Sequence, residues 1–137
     1  MNRRVFLASL MTSAAVVAVS GCGPKAPYEL VPISGVATYQ GKPIPTGFRV
    51  EFIPADGSRS SFGNIQEGGK FEAVHTPSQK GVKSGTCQVK IYWNDNPEIN
   101  PVPEEYAEMI AKYGHTGTDV KEIEIKKKDK NFKIDFE

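Results

Sequence analysis

Along most of the chain, apolar and polar residues alternate over short runs that end at Gly, Pro, Asn or Asp, the pattern of strands with one face buried and one face wet. Seven such runs stand out: ISGVATY (33–39), GFRVEFI (47–53), SSFGNIQ (60–66), KFEAVHT (70–76), GTCQVKIYW (85–93), DVKEIEIKK (119–127) and NFKIDF (131–136). In the second, Phe48, Val50 and Phe52 share a face opposite Arg49 and Glu51. The fifth alternates most cleanly, with Cys87, Val89, Ile91 and Trp93 facing inward and Gln88, Lys90 and Tyr92 outward. The seventh directs Phe132, Ile134 and Phe136 inward. Short strands with turn residues between them and almost no helical period predict an all-β fold, a seven-stranded antiparallel β-sandwich.

Residues 94–118, between the fifth and sixth runs, break the pattern and are too long for a hairpin loop. Pro103 followed by Glu104 and Glu105 has the composition of a helix first turn, and Tyr106, Met109, Ile110 and Tyr113 recur at spacings of three and four. A short amphipathic helix capping one end of the sandwich is expected there, ended by Gly114.

The amino terminus follows different rules. Basic Arg3 and Arg4 precede an uncharged apolar run from Val5 to Val19, which leads to the small residues Ser20 and Gly21 and then Cys22. This is the layout of an export signal. As a helix the apolar run would span roughly 22 Å, short of a bilayer crossing, so a signal fits better than a permanent span. The sequence Val19-Ser20-Gly21-Cys22 resembles the bacterial lipobox, which implies cleavage before Cys22, a diacylglycerol on its sulfur and often a further acyl chain on the new amino group. Two or three chains make a stable anchor where one is marginal. Gly23, rather than Asp, after the cysteine implies sorting to the outer membrane by the same resemblance. The start MNRRVFLA also resembles a twin-arginine export signal, while two arginines equally suit an ordinary basic start, so both export routes stay open. The expected organisation is therefore a signal over 1–21, a lipidated tether over 22–31 that reads GPKAPYELV after Cys22, and one domain over 32–137.

Loss of Arg3 and Arg4 with the signal turns a formal charge of +1 slightly negative, and nothing in the balance calls for nucleic acid. The one basic cluster, Lys126-Lys127-Lys128 with Lys130, is interrupted by Asp129 and reads as a solvated hairpin end. Candidate chemistry is sparse. His75 and His115 have no third ligand at suitable spacing, so no metal site and no cofactor are expected. Ser58, Ser60 and Ser61 in GSRSS read as a flexible turn with no nucleophile elbow, and no catalytic residue is assigned. Asn94, Asp95, Asn96, Glu98 and Asn100 are read as loop-building residues rather than a cation site. With Cys22 lipidated, Cys87 has no disulfide partner and is expected to behave as a small buried hydrophobe. Aromatics are the remaining lead: Tyr92, Trp93, Tyr106 and Tyr113 lie in or beside the 94–118 segment, where they would either stack on a sugar or partner or simply complete the core.

Four stretches in order, SGVATYQGKPIP, EGGKFEA, GVKSGTCQVKI and the closing VPEEYAEMIAKYGHTGTDVKEIEIKKKDKNFKIDF, resemble small bacterial lipoproteins with a carboxypeptidase regulatory-like domain of transthyretin-like (prealbumin-like), Greek-key sandwich fold. Two positions depart from that pattern. The turn before the fourth strand is Gln66-Glu67-Gly68-Gly69, where the family often has Asp-x-Asp-Gly, and its single carboxylate cannot supply the six to eight oxygens calcium takes. Cys87 stands where an aromatic is usual. The purine-pathway hydrolase of this fold ends in Tyr-Arg-Gly-Ser, whereas this chain ends NFKIDFE, so no active site carries over. The resemblance implies an envelope lipoprotein held to the membrane through Cys22 and acting without catalysis, as a structural or protein-interaction module. The alternative is a small-ligand or carbohydrate-binding module using the 94–118 loop and its aromatics.

Overall fold

The computed structural model describes residues 26–137; the signal, Cys22 and the first residues of the tether lie outside them. The chain is mostly β, with one short helix and several sheets. Its strands are β1 (Leu30–Val31), β2 (Ile33–Tyr39), β3 (Lys42–Pro43), β4 (Phe48–Pro54), β5 (Ser61–Asn64), β6 (Lys70–Glu72), β7 (Val74–Thr76), β8 (Gln79–Lys80), β9 (Val82–Lys83), β10 (Gly85–Trp93), β11 (Lys121–Ile125) and β12 (Asp129–Phe136), with helix α1 (Ala107–Tyr113) between β10 and β11.

One sheet has the order β11-β10-β4-β5-β7-β8 and is antiparallel throughout. The second is built on β2, with β12 along one side and β6 and β3 sharing the other. A two-stranded ladder of β1 and β9 stands at one end. The fourth expected run divides at Ala73: β6 pairs with β2 in one sheet and β7 with β5 in the other. The antiparallel expectation fails for one pair, since β12 runs parallel to β2. These strands lie at opposite ends of the domain sequence, so no hairpin forces them antiparallel, and the intervening chain serves as the long crossover a parallel pair needs.

Alternation delivers one core from both sheets. Phe48, Val50 and Phe52 of β4, Cys87, Val89 and Ile91 of β10, and Ile134 and Phe136 of β12 are all buried, as are Ile33, Ala37, Phe71 and Met109. Phe132 is only half-buried, because the β12 ladder is irregular between Asp129 and Phe132. At that irregularity the backbones of β2 and β12 touch: a Cβ on Gly35 would meet the Phe132 carbonyl oxygen at 1.7 Å.

The register also gives the domain two distinct ends. Gly85 faces Ile125, Cys87 faces Pro54 and Asp129 faces Ile33, all beside the β1–β9 ladder where the tether arrives. Trp93 faces Phe48 and Phe136 faces Tyr39 at the opposite end. Tyr106 packs on both Tyr39 and Phe48, at 5.9 and 5.2 Å between ring centroids, so the two sheets end together there. The β10 ladder with β11 stops at Val89, leaving the end of β10, from Lys90 to Trp93, without a strand on that side. Helix α1 lies against this stretch, with the Lys90 ammonium donating to the Gly114 carbonyl at 3.2 Å. An exposed sheet edge is thereby covered.

The helix follows a 3-10 turn at Glu104–Tyr106 and ends at Gly114, whose N–H donates to Ile110 O at 2.8 Å. Gly114 has extended backbone, not the left-handed form of a usual glycine cap; its role is spatial, since a Cβ would lie 2.3 Å from the Ile110 carbonyl oxygen.

A Gly35→Ala substitution is expected to destabilise the domain by about 3 kcal/mol or more, because the clash is with backbone that carries the parallel ladder. Gly41→Ala, at φ +76° with open space around it, should cost only about 1 kcal/mol. Urea unfolding of the two variants checks this; equal losses would contradict the close approach.

Candidate functional site

At the end away from the tether, the four aromatics singled out in the sequence take different posts. Trp93 packs edge-on against Phe48 at 4.8 Å, and its indole N–H donates to Asn100 O at 2.7 Å. Gly47 makes room for it: a Cβ there would lie 2.7 Å from the Trp93 ring, at a φ of +103° that side chains rarely adopt. Tyr106 is docked on Phe48 and Tyr39, and Tyr113 packs on Phe136 at 5.1 Å while its hydroxyl donates to Glu137 O at 3.3 Å. Tyr92 points to the outer face, donates to Glu51 and tilts against His115 at 5.9 Å. Tyr106 and Tyr113 therefore attach the helix. Tyr92 and Trp93 line a mainly apolar cleft of about 300 Å³, with Val102, Ile110 and His115 as its other walls.

The segment before the helix is built from its own amides. Asp95 accepts from the Asn96 N–H and the Asn100 side-chain amide, both at 2.8 Å, and these bonds hold its carboxyl below the usual carboxylate range. Asn96 Oδ1 accepts from the Glu98 N–H at 2.9 Å. The Asn94 N–H donates to Gly47 O at 2.8 Å, fastening the loop to the start of β4. Ile99 at its tip is 82% exposed. Among the described residues no three His, Cys, Asp or Glu side chains gather closely enough to hold a metal ion.

At the tether end, a hydrogen-bonded chain that the sequence does not announce joins three distant residues. Ser61 Oγ lies 3.1 Å from His75 Nδ1, and His75 Nε2 lies 3.1 Å from the Tyr28 hydroxyl. One ring nitrogen donates and the other accepts, whichever tautomer is present. Ser61 and His75 are buried on β5 and β7, while Tyr28 lies in the segment before β1, within the stretch expected to be the tether. Lys83 lies 4.7 Å from the Tyr28 ring centroid, pairs with Asp56 and donates to Ser58 Oγ at 2.9 Å. A serine beside a histidine invites comparison with a catalytic pair. Here the serine is 1% exposed and the third member is a phenol rather than a carboxylate, so the chain is suited to clamping the tether onto the sheet.

Cys87 is free and buried, and burial pushes its thiol up to about 11. Cys22 lies outside the described residues. No helix among those residues is long and apolar enough to cross a membrane. No family model matches the chain, and neither a curated protein nor a solved structure matches it.

Burial holds the His75 imidazole below its ordinary value, and the nearby Arg59 charge acts in the same direction. Above about pH 6.5 both folded and unfolded chains carry it neutral; below, the unfolded chain takes up a proton that the folded one resists. Stability should therefore fall as pH drops from about 7 to about 5. Asp56, held low by Lys83 and Ser58, adds stability that is lost only in the more acid carboxylate range. The melting temperature of His75→Gln is expected to be lower throughout and flat over the near-neutral window; a flat wild-type profile there would contradict the buried neutral imidazole.

Proposed function

We propose that this chain is an envelope lipoprotein, anchored by a diacylglycerol on Cys22 and sorted to the outer membrane, whose domain is a transthyretin-like sandwich of the carboxypeptidase regulatory-like kind acting as a non-catalytic interaction module. The observation that carries the reading is the sequence Val19-Ser20-Gly21-Cys22 at the end of an apolar export signal. The polarity of the domain agrees with it. Tyr28 is clamped at one end, the same end of the sheets at which the exposed lysine turn of Lys126, Lys127 and Lys128 lies. Exposed Ile99 and the apolar cleft lie at the other end, one length of β10 away, roughly 30 Å for a strand of that size.

In this reading the helix and loop face away from the lipid and toward envelope partners. The same cleft favours a second reading, a small-ligand or glycan module, in which Tyr92 and Trp93 supply the contact faces. Tyr106 and Tyr113 leave that role to them, being spent on packing.

Mass spectrometry of the mature amino terminus, combined with membrane fractionation, tests the anchor. A terminal Cys22 carrying diacylglycerol, and loss of both cleavage and membrane extraction behaviour in Cys22→Ala, are the expected results. A mature terminus elsewhere, or an unmodified Cys22, would overturn the reading.

A further inference from the structure

A second cleft, of about 390 Å³, lies apart from the aromatic one and has His75 of the Ser61–His75–Tyr28 chain in its wall. It opens across β4, β5 and β7, with Phe62 and Val74, cross-strand neighbours, among its lining residues. Arg49, Arg59 and Asn64 supply polar groups along it.

Two guanidinium groups share this cleft, and neither forms an ion pair among the described residues. Glu72, the carboxylate that also borders it, is taken by Lys80 at 2.7 Å. The lining of the cleft thus carries two guanidinium groups against one carboxylate, and that carboxylate is paired elsewhere. Arg49 is also held in place. Its Nε donates to Asn64 Oδ1 at 3.0 Å and its guanidinium carbon stands 5.4 Å from the Phe62 ring centroid. Both of its Nη groups are left without a protein partner among the described residues. A planar donor fork fixed by stacking and one hydrogen bond loses little freedom when it meets an oxyanion, which is why arginine suits carboxylate and phosphate. Arg59 makes no side-chain hydrogen bond among the described residues, and it lines the same cleft as Arg49 and His75.

We propose that this cleft binds a small ligand bearing an oxyanion, a carboxylate or a phosphate, which Arg49 and Arg59 hold while its less polar part rests on Phe62 and Val74. The site is separate from the aromatic cleft and does not depend on how the chain is anchored.

Titration of the mature protein, followed by NMR of the arginine side chains, tests it with inorganic phosphate and glucuronate as probes, glucose as the neutral control and sodium chloride matched for ionic strength. Saturable shifts of the Arg49 and Arg59 resonances are expected with at least one anionic probe and with neither control; which probe acts tells phosphate from carboxylate. Arg49→Gln and Arg59→Gln should each weaken binding about tenfold, and Arg49→Lys, which keeps the charge without the fork, should weaken it less than Arg49→Gln. Unchanged backbone resonances elsewhere identify folded variants, and the two single variants serve as independent checks. Shifts that merely follow ionic strength, or saturable binding that survives in the double variant, would overturn the proposal.

Discussion

Between Lys70 and Thr76 the backbone leaves one sheet and enters the other without a loop, and Ala73 is where it crosses. The Ala73 N–H donates to Ile33 O and its carbonyl accepts from the Gly81 N–H, both at 2.9 Å. Its methyl is wholly buried. Phe71 before it and His75 after it keep the inward side of a period-two pattern while their ladders change partner, from β2 to β5 and beyond. A larger side chain at the crossing would push apart the layers whose contact is the core, including Phe52 against Phe71 at 5.9 Å. The crossing also sets His75 where Ser61 and Tyr28 can reach it, so the clamp on the tether depends on the same short segment.

The strands with strong alternation were legible because burial on one face leaves a direct mark on residue type. β4 has the inward set read from sequence, β10 buries Cys87, Val89 and Ile91 but leaves Trp93 half-buried at its end, and Cys87 is the small buried hydrophobe its spacing suggested. What was not legible depends on pairings between distant residues. KFEAVHT reads as one strand because its period never changes, yet its ladder does. The parallel partnership of β2 and β12 leaves only a glycine at Gly35 as its trace, and a lone glycine has many explanations.

The sites divide in the same way. Loop chemistry at Asp95, Asn96 and Asn100 follows from local hydrogen bonds that Asn and Asp make with near neighbours, so composition was enough. The four aromatics were found as a group because they are near in sequence, but helix docking and strand alternation send them to different walls. Ser61 was hidden in GSRSS, a run that looks like a turn, because its partner His75 lies across a sheet. Arg49 reads in the sequence as an outward charge, and Arg59 sits in a run that reads as a turn; only their shared place in one cleft of the folded chain distinguishes them. A usable signal existed in outline, an arginine beside Glu51 on β4 whose partner residues were not knowable until β5 was placed.

The proposed anchor at one end and the proposed binding surfaces along and beyond the opposite end make a definite geometry. Energy transfer from single fluorophores to an acceptor dye in the membrane measures it most directly, with the lipidated protein reconstituted in vesicles and probes at Lys127 and Ile99 in turn. Anchoring through Cys22 predicts strong transfer from Lys127 and weak transfer from Ile99, the two differing in height by roughly the 30 Å of a nine-residue strand. Equal heights, or Ile99 nearer the membrane, would contradict it.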